Sequence, residues 1–156
     1  MSILFADVDL RKNGGGPTLT KGADALRGKI VGLYISASWC PMSRTFTNVL
    51  KKFHREIGED FEVVFVSWDH TEQDMKKHLE SHGNWYYIRF CDSVSILQKY
   101  LVRVIPTLII INANGEVITK NGRRDVFELT PVQALTVWKR RQNGKKRKDM
   151  KKCSIM

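Results

Sequence analysis

Ile30-Val31-Gly32-Leu33-Tyr34-Ile35-Ser36-Ala37-Ser38-Trp39-Cys40-Pro41-Met42-Ser43 is the stretch that decides the fold. Its first half is an unbroken apolar run bounded by turn residues, which reads as a strand buried on both faces. From Pro41 onward, Met42, Phe46, Val49, Leu50, Phe53 and Ile57 recur at spacings of three and four. That pattern predicts an amphipathic helix that opens at Pro41, where a missing N–H does no harm, and stops near Gly58. Cys40 therefore falls between a buried strand and the first turn of a helix. Unpaired backbone N–H groups and the positive end of the helix dipole both stabilise a thiolate there, the geometry of thiol–disulfide chemistry. A dithiol site carries a second cysteine three residues on, and that position is Ser43.

The flanking chain alternates between strand and helix signals. Phe61 to Trp68 reads as a second central strand, and Thr71-Glu72-Gln73-Asp74 resembles a capping box opening a helix through about Glu80. Asp92 or Ser93 can cap a short helix reaching Tyr100. Leu108 to Ile111 is a third apolar strand after Ile105-Pro106, and Asn114-Gly115 turns the chain into Glu116-Val117-Ile118-Thr119 as a hairpin. Thr130-Pro131 starts a last helix with Val132, Leu135 and Trp138 on one face, and Gly144 is its expected stop. Residues 1–29 read as an opening hairpin and a helix or turn, broken at Asn13-Gly14-Gly15-Gly16-Pro17. This order argues an α/β layered domain.

Composition narrows the class. A chain of 156 residues with 42% hydrophobic and 27% charged residues is one globular domain with a real core. No apolar stretch is long enough to span a bilayer. The start, Met1-Ser2-Ile3-Leu4-Phe5-Ala6-Asp7, lacks the basic region of a signal peptide, and Ser2 stands where myristoylation needs a glycine. Three widely spaced cysteines make no disulfide framework and fit a reducing compartment. The net charge of +10 is not spread evenly: Lys139 to Met156 holds nine Lys and Arg against Asp149, so the tail carries +8 and the body +2.

Together these motifs resemble the thioredoxin superfamily, and within it the tryparedoxin and nucleoredoxin branch. The matching residues run from about Leu26 to Arg124: Tyr34 to Pro41, Arg44 and Phe46, Phe61 to Asp69, Ile105-Pro106-Thr107-Leu108, and Gly115 to Thr119 with Gly122-Arg123. The resemblance implies an α/β thioredoxin-like three-layer α/β/α sandwich around a central mixed sheet, over residues 1–143, with no cofactor and no metal. It implies that Cys40 is the exposed attacking sulfur and that Trp39 shields it and offers a flat contact to substrate. It also implies that Pro106 is a cis proline opposite Cys40, and that the backbone at Ile105 pairs with an extended substrate peptide. Trp68 and Asp69 are expected near the sulfur, with Asp69 in proton transfer if within reach. Tyr34 stands where thioredoxins proper bury an acid.

The departure from the family pattern is Met42-Ser43. A serine hydroxyl can donate a hydrogen bond to the Cys40 thiolate but cannot displace sulfur at neutral pH. What remains is monothiol chemistry on protein thiols and disulfides, completed by glutathione or another outside thiol. The alternatives are oxidation to a sulfenic acid as a sensor, or a binding module without turnover. Cys91, after Trp85-Tyr86-Tyr87-Ile88-Arg89-Phe90, is expected to be a core thiol rather than a resolving one. His78 and His82, four apart on the expected helix, are read as surface histidines rather than metal ligands.

Residues 144–156 read as a flexible basic tail. Cys153-Ser154-Ile155-Met156 fits a prenylation box whose terminal Met favours farnesyl, and six of the eight residues before Cys153 are basic. One lipid chain binds membranes only marginally, and each Lys or Arg near an anionic leaflet adds about 1 kcal/mol. The two signals together predict a lipoprotein at the cytosolic face of a membrane. A solvated basic tail, or a nuclear localisation signal at Lys145-Lys146-Arg147-Lys148, are the competing readings. No aromatic or base-reading residue is interleaved with the charges, so specific nucleic-acid binding is not expected.

Overall fold

The computed structural model describes residues 7–15 and 20–154, with side chains through residue 144. Strand β1 spans Asp9–Lys12, β2 Thr20–Lys21, β3 Ile30–Ser36, β4 Phe61–Ser67, β5 Tyr86–Ile88, β6 Thr107–Ile111 and β7 Val117–Thr119. Helix α1 spans Gly22–Ala25, α2 Pro41–Ile57, α3 Glu72–Leu79, α4 Ser93–Lys99, α5 Gly122–Glu128 and α6 Pro131–Ser154. The strands form one sheet in the order β2-β1-β5-β4-β3-β6-β7. Strand β3 pairs parallel with β4 from Ile30↔Phe61 to Ser36↔Ser67, and antiparallel with β6 from Val31↔Ile111 to Ile35↔Thr107.

The unbroken apolar runs follow from this central position. Side chains alternate between the faces of a strand, so a strand covered on both sides is apolar at nearly every position; the exception within β4 is Glu62, whose carboxylate bonds His54 and Val63 N. Ile30 and Tyr34 of β3, Phe61, Val63 and Phe65 of β4, and Leu108 and Ile110 of β6 face one core with Phe46, Leu50 and Phe53 of α2 and Trp138 of α6. Val31, Leu33 and Ile35, Val64 and Val66, and Ile109 and Ile111 face the other, with Ile96 of α4 and Tyr100. The result is a three-layer α/β/α sandwich on a mixed sheet. Gly32 is required on β3, since a Cβ there would lie 2.6 Å from Phe61 Cζ. Gly115 holds φ at +92° in the β6–β7 turn, where Asn112 Oδ1 accepts from the N–H groups of Asn114 and Glu116.

Several expectations need correction. Cys91 is exposed, not a core thiol, because β5 ends at Ile88 and the chain enters a single 3₁₀ turn, Phe90–Asp92, that faces solvent. His78 and His82 are buried at 4% and 6% exposure rather than on the surface. With Met75 and Leu79 they follow the i, i+3, i+4, i+7 rule, so one inward face of α3 and its following turn holds all four. Gly144, the expected stop of the last helix, lies inside α6, whose backbone continues to Ser154. A single glycine costs a helix about 1 kcal/mol, which the surrounding Lys, Arg and Gln tolerate. Strand β5 and helix α5 are additional elements. Tyr86–Ile88 is too short to show alternation, and α5 buries only Gly122 and Val126.

Candidate functional site

Cys40 is the N-cap residue of α2, with extended backbone at φ −101° and ψ 113°. Its N–H donates to Ala37 O, and its carbonyl accepts from the N–H groups of Ser43 and Arg44 at 3.1 and 3.3 Å. The side chain is half-buried and the thiol is free. The Ser43 hydroxyl beside it is the largest influence and draws the Cys40 pKa below the ordinary thiol value. Burial works against this; the N–H groups of Ser43 and Met42 and the charge of Arg123 work with it. Ser43 Oγ is itself buried and makes no hydrogen bond of regular geometry, so its proton is free to turn to the sulfur as charge develops.

The floor under this first turn is a knot of hydroxyls. Tyr34 Oη donates to Ser43 O at 2.9 Å, Thr47 Oγ1 reaches the same carbonyl at 2.8 Å, and the two hydroxyl oxygens lie 2.7 Å apart. Two protons serve three contacts, which ties α2 to β3 directly below the cysteine. Burial raises the Tyr34 pKa, so the phenol stays neutral where an acid would carry charge.

Asp69 fixes the loop that presents Trp39 and Cys40. Its Oδ1 accepts from Ser38 N at 2.8 Å and Ser38 Oγ at 2.6 Å, and its Oδ2 accepts from Ser67 Oγ at 2.8 Å. The carboxylate thus clamps the end of β3 to the end of β4. Trp39 is 53% exposed and stacks on His70, ring centroids 5.8 Å apart and planes 16° apart. Trp68 and Ile105 are half-buried against the core on the face of the sheet away from α2, so their side chains lie in that layer.

The Ile105–Pro106 peptide bond is cis, and the β3–β6 register sets Pro106 opposite Ser36, at the end of the sheet where Cys40 sits. Arg123 Nη1 donates to Pro106 O at 2.9 Å. Trp39, Cys40, Ser43 and Pro106 thus gather at one end of the sheet. Arg123 and Phe127 join them there from α5, and sequence reasoning singled out neither as a site residue. The signal for Arg123 lay only in the family-like Gly122-Arg123 pair. Among the described residues no group of three or more His, Cys, Asp or Glu side chains is placed to hold a metal. The side chain of Cys153 and residues Ile155 and Met156 lie outside the described residues.

A buried strand running into a half-exposed cysteine at a helix N-terminus, with a cis proline at the same end of the sheet, defines a thioredoxin-type domain. The chain belongs to the thioredoxin-like family, whose model matches residues 28–117. It is 43% identical over 110 residues to tryparedoxin of Trypanosoma brucei brucei, covering 67% of this chain and 76% of that protein. It is 38% identical over 111 residues to nucleoredoxin of Mus musculus, covering 67% of this chain. The chain spans about a quarter of the length of the nucleoredoxins it matches, 25% for the mouse protein. Among solved structures, thioredoxin from Wuchereria bancrofti superposes with TM-score 0.73 at 48% identity, over 86% of this chain and 96% of that one. Tryparedoxin II complexed with glutathionylspermidine superposes with TM-score 0.67 at 30% identity, over 78% and 85%.

Proposed function

We propose that the protein is a monothiol thiol–disulfide oxidoreductase acting through Cys40 on protein disulfides or mixed disulfides. The Cys40 thiolate attacks one sulfur of the substrate disulfide; a new S–S bond forms to Cys40 and the second substrate sulfur leaves as a thiolate. Ser43 cannot expel the captured chain. An outside thiol such as glutathione then attacks the Cys40 sulfur and releases the chain as a thiol. A second such thiol regenerates Cys40, so that two external thiols are oxidised for each disulfide reduced. A tryparedoxin structure holds glutathionylspermidine, which supports a glutathione-like thiol as that reductant.

The observation that carries this reading is a cysteine with a lowered pKa at the head of α2, with a buried hydroxyl at the resolving position. Insulin reduction with glutathione as the only reductant tests it. Turnover well above that of a Cys40→Ser control is expected. Absence of turnover, with mixed disulfides still trapped on Cys40, would instead make the domain a redox-sensing or adaptor module.

The same proposal includes a membrane tether: farnesylation of Cys153, with the preceding basic residues bound to the anionic cytosolic face. Intact-mass measurement of protein made in a eukaryotic host tests the tether. A mass matching loss of the last three residues and gain of a farnesyl group supports it; an unmodified chain ending at Met156 removes it.

A further inference from the structure

Two hollows lie side by side next to Pro106. The first, about 150 Å³, is lined by Met42, Thr45 and Phe46 of α2, by Pro106, and by Arg123 and Phe127 of α5. Its surface is mostly carbon, and an apolar cavity of about that size holds a benzene-sized group. The second, about 480 Å³, shares Pro106, Arg123 and Phe127 and continues past Val104 to Lys120, Arg124 and Glu128. Phe127 is the ridge between them. It packs on Phe46, ring centroids 5.5 Å apart, yet remains 58% exposed. Met42 at 58% and Val104 at 68% are exposed on either side of it. Large apolar side chains left open together next to Pro106, at the end of the sheet where Cys40 sits, are the kind of patch that a bound partner covers.

The charge of the second hollow is one-sided. Three cations, Lys120, Arg123 and Arg124, face one anion, Glu128. Glu128 is held by Arg124 at 3.1 Å. Lys120 donates to Tyr100 O and Arg123 to Pro106 O, both backbone carbonyls that leave the positive charge unbalanced.

We propose that α5 selects the substrate. The polypeptide attacked by Cys40 docks as an extended segment with one large apolar side chain in the hollow between Met42 and Phe127. An acidic side chain a few residues further on lies against Lys120 and Arg123. This rests on the exchange chemistry proposed above and names the kind of chain that chemistry takes. The apolar hollow supplies affinity by removing Phe127, Met42 and the incoming side chain from water. The cationic cleft sets orientation and speeds encounter with acidic chains. The covalent step is unchanged: the Cys40 thiolate bonds to the peptide sulfur and the other sulfur leaves with the electron pair.

The test uses the full chain and cysteine peptides capped as 2-pyridyl disulfides, whose neutral leaving group, pyridine-2-thione, is followed by absorbance. One peptide carries leucine beside the cysteine and two glutamates a few residues further on, a second has lysines for the glutamates, and a third has serine for the leucine. The first peptide is expected to react about tenfold faster than the third, as one apolar side chain in a pocket allows. It is expected to react several-fold faster than the second at low salt, with that gap closing as salt rises. Phe127→Ala is expected to erase the preference for leucine, and Lys120→Glu, which brings the cleft to two cations against two anions, to erase the preference for charge. Both side chains border solvent, and melting curves check that each variant is folded; the peptide series on the unaltered protein stands without them. Equal rates for the three peptides overturn this inference alone. Release no faster than with Cys40→Ser protein overturns the exchange chemistry and this inference with it.

Discussion

Ser43 sits where a resolving thiol would sit, fully buried, and its unengaged hydroxyl makes it a stabiliser of the Cys40 thiolate. Ser43→Ala removes the largest influence lowering the Cys40 pKa, so the pH profile of iodoacetamide alkylation is expected to move to higher pH. An unmoved midpoint would assign the thiolate to the helix terminus and Arg123 alone. Ser43→Cys restores a dithiol. That variant is expected to release reduced substrate in a single turnover without added thiol, whereas the unaltered protein holds it as a mixed disulfide. Asp69 is the other residue with a decisive local role. Asp69→Ala leaves Ser38 N and the hydroxyls of Ser38 and Ser67 without their acceptor. Losing the acceptor of one buried donor, at Ser67, and two part-buried ones, at Ser38, costs about 2–4 kcal/mol together. A fall in the urea midpoint with unchanged slope is the expected result.

Helix α3 carries the second property written into an element. Its inward face and the turn after it bury two histidines whose rings meet edge to face, centroids 4.4 Å apart. His78 Nε2 lies 3.1 Å from Ser36 Oγ, and Trp85 Nε1 donates to His82 Nδ1 at 3.3 Å. Burial lowers both pKa values, that of His82 strongly. Asp69 opposes the shift at His78 and Arg44 adds to it; at His82, His78 and Lys51 both add to it. In the unfolded chain both groups titrate near 6.5. Below that pH the unfolded state binds protons the folded state refuses, so stability falls as pH falls and is fully present only above about 6.5. The melting temperature is expected to drop between about pH 7 and pH 5, and His82→Phe to flatten that slope. A slope unaltered by His82→Phe would place the acid sensitivity elsewhere.

At the scale of the molecule, most of the net charge is gathered at one end of the chain. The body carries +2, while the stretch from Lys139 onward carries +8 on a helix whose backbone runs to Ser154. Electrostatic binding of that arm to an anionic bilayer is screened over about 8 Å at physiological salt. Unprenylated protein is therefore expected to bind phosphatidylserine-containing vesicles at low salt and to leave them as salt rises, while neutral vesicles retain none. Deleting residues 144–156, which carry +5 of that charge, is expected to weaken that binding markedly while insulin reduction continues. Equal binding of the truncated chain would transfer the membrane contact to the residues before 144.

The fold was legible because its three central strands are buried on both faces and so are apolar at nearly every position, Glu62 and the polar strand ends apart, and because α2 repeats its apolar residues at helical spacing. Cys40, four residues past the end of β3, could be placed from that framework; a cis Pro106 opposite it followed only from the family resemblance. The burial of His78 and His82 was also written in the chain, at the same spacing as Met75 and Leu79, but imidazole belongs to both core and surface. Exposure of Cys91 was not legible: it depends on where a three-residue strand stops.

What the chain alone determined is local and short-range: a strand, a cysteine at a helix start, a serine in place of a thiol, and a basic end. Whether Ser43 Oγ is left unengaged, whether Asp69 clamps Ser38, and whether Phe127 and Arg123 come beside Pro106 are matters of tertiary structure. Asp69, Pro106, Arg123 and Phe127 are all remote from Cys40 along the chain. They reach its surroundings only when β4 and β6 flank β3 and α5 folds back toward α2. No periodicity within a window of the sequence encodes which side chains such a return brings together.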